Sequence, residues 1–306
     1  MYSHLAILAS PYLLKQLFYF SKSLSVSDRF DGSIDRINEL YKRVLALPVT
    51  RKYSLHLHDS FINALAVLHT TRTRQVFEQA VESFLYRLGF HIKQSEAKFA
   101  EQGSFIAIAT ISAMFEYGSQ SMLSLACSSK EGKGVLQRTQ IRHFSKAQYL
   151  FNSTVEAVCH HRDDPSILAF THVILVFMRH VSEFNRASMM FDLGFPWEKV
   201  SRIVNTFSTI ASPQAFDEKE RQLPEDFHMR GLAFAKTYFP ETWFNRNICK
   251  EGAWEEEIWD HRARWIETPS FAGVRKARIF WLARELVDKG WGIQYDNSSF
   301  SVRPRS

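Results

Sequence analysis

Three groups of residues in this chain have types and spacings that invite chemistry. The first pairs imidazole with carboxylate, in His56-Leu57-His58-Asp59 and again in His160-His161-Arg162-Asp163-Asp164. Such groups ligate metals and carry protons, but a metal site needs ligands that converge from several elements in tetrahedral or octahedral geometry. On a helix the i, i+2 spacing of His56 and His58 splays the two rings apart. The second cluster falls at an expected helix end, where imidazoles commonly meet the negative end of the helix dipole. Neither is read as a metal site. The second group is Gly132-Lys133-Gly134, which has the flavour of a phosphate-binding loop. The full Gly-x-x-x-x-Gly-Lys-Ser/Thr spacing is absent and no strand precedes it, so residues 128–134 read as a surface linker. The third group is basic: Arg138, Arg142 and Lys146 at i, i+4 and i+8, with Tyr149 nearby. That spacing puts three cations on one helical face, suited to gripping a phosphate backbone. The competing reading is an ordinary solvated face.

Other routes to catalysis find no foothold. Gly-x-Ser-x-Gly, His-Glu-x-x-His and dinucleotide fingerprints do not occur. Glu255-Glu256-Glu257 reads as a solvated first turn rather than an acid/base pair. Trp254, Trp259 and Trp265 could stack bases, but aromatic residues at helical spacing more often form core. An enzyme would need a pocket gathering titratable groups from distant helices. No catalytic residue, metal or cofactor is expected.

The elements that must position these residues are helical. Tyr2 to Ser25 is apolar at helical spacing, with Pro11 separating two short helices. Residues 31–46 form a further helix, started by Asp31 or Ser33 and stopped at Pro48. Longer helices follow at about 54–69 and 72–100, the second carrying the stripe Phe77, Ala80, Val81, Phe84 and Leu88 behind a Thr73 cap. Gly103 is read as a break, and 104–117 resumes as a helix apolar all round, hence central. Helix 135–160 holds the basic face; helix 165–184 and the segment opened by Phe195-Pro196-Trp197-Glu198 are core stripes; 212–221 is loop.

The C-terminal stretch 223–302 closes the body. Pro224 with Glu225 and Asp226 marks a helix start, because proline tolerates the first turn and carboxylates favour the positive end of the dipole. From Ala277 to Lys289 the residues Ile279, Leu282, Ala283, Leu286 and Val287 share one face, and Gly290 stops the helix. Residues 291–302 alternate around Asp296-Asn297 as a two-stranded hairpin.

Composition agrees with this pattern. The 306 residues include 26 Phe and only 12 Gly, a ratio that suits helix-on-helix packing better than a turn-rich β fold. The net charge of +6 is mildly basic, compatible with nucleic acid or acidic partners without requiring either. Cys127, Cys159 and Cys249 lack paired or metal spacing and read as reduced thiols of a nuclear or cytoplasmic protein. No stretch reaches the roughly 20 apolar residues of a membrane helix, and the opening residues make no convincing secretory signal.

Several segments carry a family resemblance. Tyr2-Ser3-His4-Leu5-Ala6-Ile7-Leu8-Ala9 and Gln16-Leu17-Phe18-Tyr19-Phe20-Ser21-Lys22-Ser23-Leu24 resemble the end of the tetratricopeptide, 14-3-3-like region in fungal members of the SMG and ever-shorter-telomeres family. Phe195-Pro196-Trp197-Glu198 with Asn205-Thr206, Leu223-Pro224-Glu225-Asp226 with Arg230-Gly231, Tyr238-Phe239-Pro240, and Arg275 to Ile279 resemble the helical DNA/RNA-binding domain that follows it. The resemblance implies a division into residues 1–47, the end of the 14-3-3-like region, and residues 48–306, the DNA/RNA-binding-type domain. It also implies that most of the 14-3-3-like half, with its pocket for phosphorylated partners, and any terminal nuclease domain are missing here.

The expectation is therefore all-α: a stack of about ten helices in antiparallel hairpins, TPR-like at its N-terminal end, with a small C-terminal β-hairpin. By resemblance it would be a non-enzymatic adaptor of nonsense-mediated mRNA decay or telomere maintenance. Its partners would be decay or telomerase-associated proteins, and RNA or single-stranded DNA at Arg138, Arg142 and Lys146. The alternative is a purely protein–protein helical scaffold, recognised by an apolar groove where a basic one would otherwise lie.

Overall fold

The apolar spacing of the first residues becomes three helices in a computed structural model, α1 (Tyr2–Leu8), α2 (Leu13–Ser25) and α3 (Gly32–Leu45), with Pro11 in the turn between the first two. The structure describes residues 1–26, 29–47, 56–70, 73–94, 96–118, 121–128, 137–192, 194–207, 222–245 and 269–304. The Gly132-Lys133-Gly134 loop, Cys249, Trp254, Trp259, Trp265, Glu255 to Glu257 and the 212–221 segment lie outside them.

Ten more α-helices follow among the described residues. They are α4 (Leu57–Leu68), α5 (Arg74–Gln94), α6 (Glu96–Met114), α7 (Met122–Ala126), α8 (Arg138–Cys159), α9 (Leu168–Val181), α10 (Asn185–Asp192), α11 (Trp197–Asn205), α12 (Pro224–Met229) and α13 (Pro269–Asp288). The expected count of about ten is thus exceeded, because short helices such as α7 and α10 are too brief to show a period of their own. Neighbours in sequence pack as hairpins: α1 on α2, α2 on α3, α3 on α4, and α4 on α5. The fold is an all-α stack of helical hairpins, closed by a small antiparallel pair, β1 (Ile293–Asp296) and β2 (Ser299–Val302).

The central helix is where the apolar run placed it, but it is longer. Helix α6 contacts α2, α5, α8, α9 and α12, and Phe105, Ile106, Ile108, Ile111 and Met114 are all buried in it. Gly103 does not break the pattern; α5 is described to Gln94 and α6 from Glu96, and Gly103 sits inside α6. A Cβ there would lie 3.2 Å from Cβ of Phe170 on α9 and 3.2 Å from the Phe99 ring. The glycine serves close packing of α9 rather than a turn.

Core stripes follow the helical period elsewhere. Phe77, Val81, Phe84 and Leu88 on α5, and Phe170, Val173, Ile174, Phe177 and Val181 on α9, are all buried. The Thr73 side chain caps α5 by accepting the Val76 amide at 3.4 Å. Gly290 (φ +81) follows the last turn of α13, a left-handed position that favours glycine. The closing turn lies one residue later than the spacing indicates. Asn297 and Ser298, both at positive φ, form the two-residue connection, and β1 pairs Asp296 with Ser299. No helix among the described residues is long and apolar enough to cross a membrane. One buried cluster runs from Ala6 to Phe300, so residues 1–47 share a core with the later helices.

Candidate functional site

Among the described residues, two gatherings of polar side chains bear on function, one outside the stack and one within it. The outer one lies along the first three turns of α8. There the helical period keeps Phe144, Ala147, Leu150 and Phe151 buried, which turns Arg138 and Arg142 out to solvent and leaves Lys146 half-buried. A groove of ≈ 860 Å³ opens between this face, the end of α4 and the first turns of α5. Arg142, Lys146 and Tyr149 line it; Arg138 does not and lies exposed beyond it. The opposite wall supplies Leu68, His69, Arg74 and Phe77, none of them indicated by sequence spacing as part of a site.

Charges within the groove are partly compensated. Arg74 donates to Glu78 at 2.7 Å, one turn further along α5. The Lys146 ammonium lies 5.5 Å from the centroid of the buried Phe77 ring. Phe77 in turn meets Tyr149 edge-on at 6.2 Å. At the other end, His143 and His69 share a hydrogen bond (Nε2 to Nδ1, 3.3 Å), and His143 Nδ1 lies 3.5 Å from Glu116. Burial, with His143 close by, pushes the His69 imidazole down to about 3; burial, with Lys146 close by, pushes His143 down to about 4. Both rings are neutral at pH 7. The His69 ring, itself part of the groove wall, packs on Tyr41 and Tyr117, whose hydroxyls hydrogen-bond to each other.

The inner place centres on the short helix α12. Pro224, Glu225 and Asp226 do start a helix, and the Asp226 carboxylate accepts the Leu223 amide at 3.0 Å. Reading these acids as companions of the helix dipole misses their larger role, because both are completely buried. Arg275 of α13 grips Glu225 with two hydrogen bonds (2.7 and 3.1 Å), and Arg278 grips Asp226 with two more (2.9 and 2.8 Å). The indole of Trp243 donates to Asp226 at 3.2 Å, and the Arg278 guanidinium sits 4.9 Å from that ring's centroid. His172 of α9 hydrogen-bonds Glu225 through Nδ1 (3.1 Å) and the Tyr238 hydroxyl through Nε2 (2.7 Å). Burial alone would raise the Glu225 carboxyl, but Arg275 and His172 hold it well below the usual carboxylate range.

The ends of α12 are fastened as well. The Lys22 ammonium of α2 donates to the Phe227 carbonyl at 2.7 Å, and Ser104 of α6 hydrogen-bonds His228 at 2.7 Å. This six-residue helix therefore ties α2, α6, α9 and α13 together. None of Glu225, Asp226, His172, Arg275 or Arg278 has exposed surface, so the cluster joins elements and presents nothing to a substrate.

The other chemistry-bearing candidates stay apart. His58 is half-buried with its ring 6.3 Å from that of His91, and His160 caps its own helix by bonding the Glu156 carbonyl at 2.7 Å. Among the described residues no three His, Cys, Asp or Glu side chains are grouped so as to hold a metal ion. Cys127 and Cys159 are free thiols, each pushed up to about 12 by burial. No protein-family model matches the chain, and no curated protein sequence matches it either.

Proposed function

We propose that this protein is a non-enzymatic helical adaptor that binds single-stranded nucleic acid along α8. The observation that carries the reading is the pairing of cations with an apolar, aromatic-edged groove. Arg142 and Lys146 line that groove beside Tyr149, and Arg138 extends the same helical face. Cations that track a backbone beside an aromatic that accepts bases are the two parts of single-strand recognition. The resemblance of the N-terminal and C-terminal segments to the SMG and ever-shorter-telomeres family supports a place in nonsense-mediated mRNA decay or telomere maintenance. Decay or telomerase-associated proteins would be the partners, in the nucleus or cytoplasm, and the chain would be a fungal member of that family.

The test is fluorescence anisotropy with a labelled single-stranded RNA and a single-stranded DNA. Replacing Arg138, Arg142 and Lys146 together by Gln should lower affinity at least about tenfold while the helical circular dichroism is unchanged. Equal affinity of the two proteins would reject the reading. One observation favours the second reading, a protein–protein scaffold without a nucleic-acid role: Ile7, Leu8 and Tyr12 are exposed together around the end of α1. Failure of the wild-type chain to bind either strand, with capture of a partner lost on changing those three residues to Ser, would favour it.

A further inference from the structure

We propose that the groove beside α8 takes a single unpaired base, stacked on Tyr149, while Arg142 and Lys146 hold the phosphates that flank it. The inference rests on the nucleic-acid reading above and adds to it a requirement for a single strand. Tyr149 is 42% exposed, unusual for a large ring beside a groove with apolar walls. The buried Phe77 meets its ring edge-on at 6.2 Å, and the exposed part of the ring is open to a ligand. Lys146 lies one helical turn before Tyr149, and Arg142 one turn before Lys146, so ring and cations share one side of α8.

The remaining walls suit a base better than a second phosphate. Leu68, Phe77 and Ile141 are apolar, and the imidazoles of His69 and His143 are neutral at pH 7. Of the carboxylates, Glu78 is engaged by Arg74, and Glu116 lies at the His143 end, where it repels an anion. The negative charge of a ligand is thereby placed at the Arg142–Lys146 rim, with Arg74, paired to Glu78, on the facing wall. The volume of ≈ 860 Å³ falls within the roughly 300–1,000 Å³ of pockets that enclose small ligands. That is room for a nucleotide unit, and a paired, stacked base in a duplex cannot enter it.

The experiment uses the full chain and a single-stranded RNA with one internal 2-aminopurine, whose fluorescence is quenched when the base stacks. Wild type and Tyr149→Phe should quench it. Tyr149→Ala should lose the quench and bind on the order of tenfold more weakly, and a duplex of the same sequence should compete poorly. Quenching that survives Tyr149→Ala, or a duplex that competes as well as the single strand, would overturn the base slot. In that case salt-sensitive binding through the three cations would still stand. Absence of any binding by the wild-type chain would overturn both.

Discussion

Replacing Glu225 by Gln while Arg275 stays in place should cost about 3–5 kcal/mol, because a guanidinium without exposed surface loses its counter-charge. Urea denaturation followed by circular dichroism measures this, and a cost below about 1 kcal/mol would show that the pair is not held as described. Lys22 is the opposite case. Its ammonium is buried against the Phe227 carbonyl and the Tyr2 ring, and burial with nearby Arg230 lowers it from 10.5 to about 7. Between pH 7 and 10.5 the unfolded chain binds a proton that the folded chain releases, so stability rises with pH across that window. Lys22→Met should flatten this rise in melting curves recorded between pH 7 and 10; an unaltered pH profile would contradict it. His69 and His143 have the same sign in an acid window. Both are held far below 6.5, so the fold loses stability as pH falls from about 6.5 toward 4. His143→Gln should blunt that acid loss in melting curves recorded from pH 7 to 4.

At the level of helices, Gly103 offers the sharpest test of packing. Gly103→Leu would drive a side chain into Phe170 and Phe99, and the expected cost is about 1–3 kcal/mol. Thermal denaturation reads it; a neutral outcome would mean that α6 and α9 do not approach as closely as the structure has them. The same glycine shows where sequence reasoning stops. Periodicity located α5, α8 and α13 because each has one buried face, and α2 and α9 through long apolar runs buried nearly all round; it marked the hairpin through alternation and turn chemistry. A glycine in a helical pattern is ambiguous between a break and a close contact, and only the neighbouring helix resolves it. The keystone role of α12 was hidden for a similar reason. Glu225 and Arg275 are 50 residues apart, and Glu225 and His172 are 53 apart. No local spacing announces such pairings. The cationic face of α8 was legible as i, i+4, i+8, whereas the wall formed by Leu68, His69 and Phe77 exists only once α4 and α5 pack beside it.

Among the described residues, the ion pairs of α12 work inward, and the groove proposed for a ligand opens outward, along α8. Helix α6 packs on both α8 and α12, so the groove and the α12 ion pairs rest on the same core. The central claim is that the cations of that face contact phosphates. It is tested most directly by the salt dependence of single-strand binding, compared between the wild-type chain and the variant carrying Gln at 138, 142 and 146. The slope of log affinity against log salt should become shallower by about 2, since each phosphate contact on a single strand contributes roughly 0.7. An identical slope in the two proteins would contradict the account.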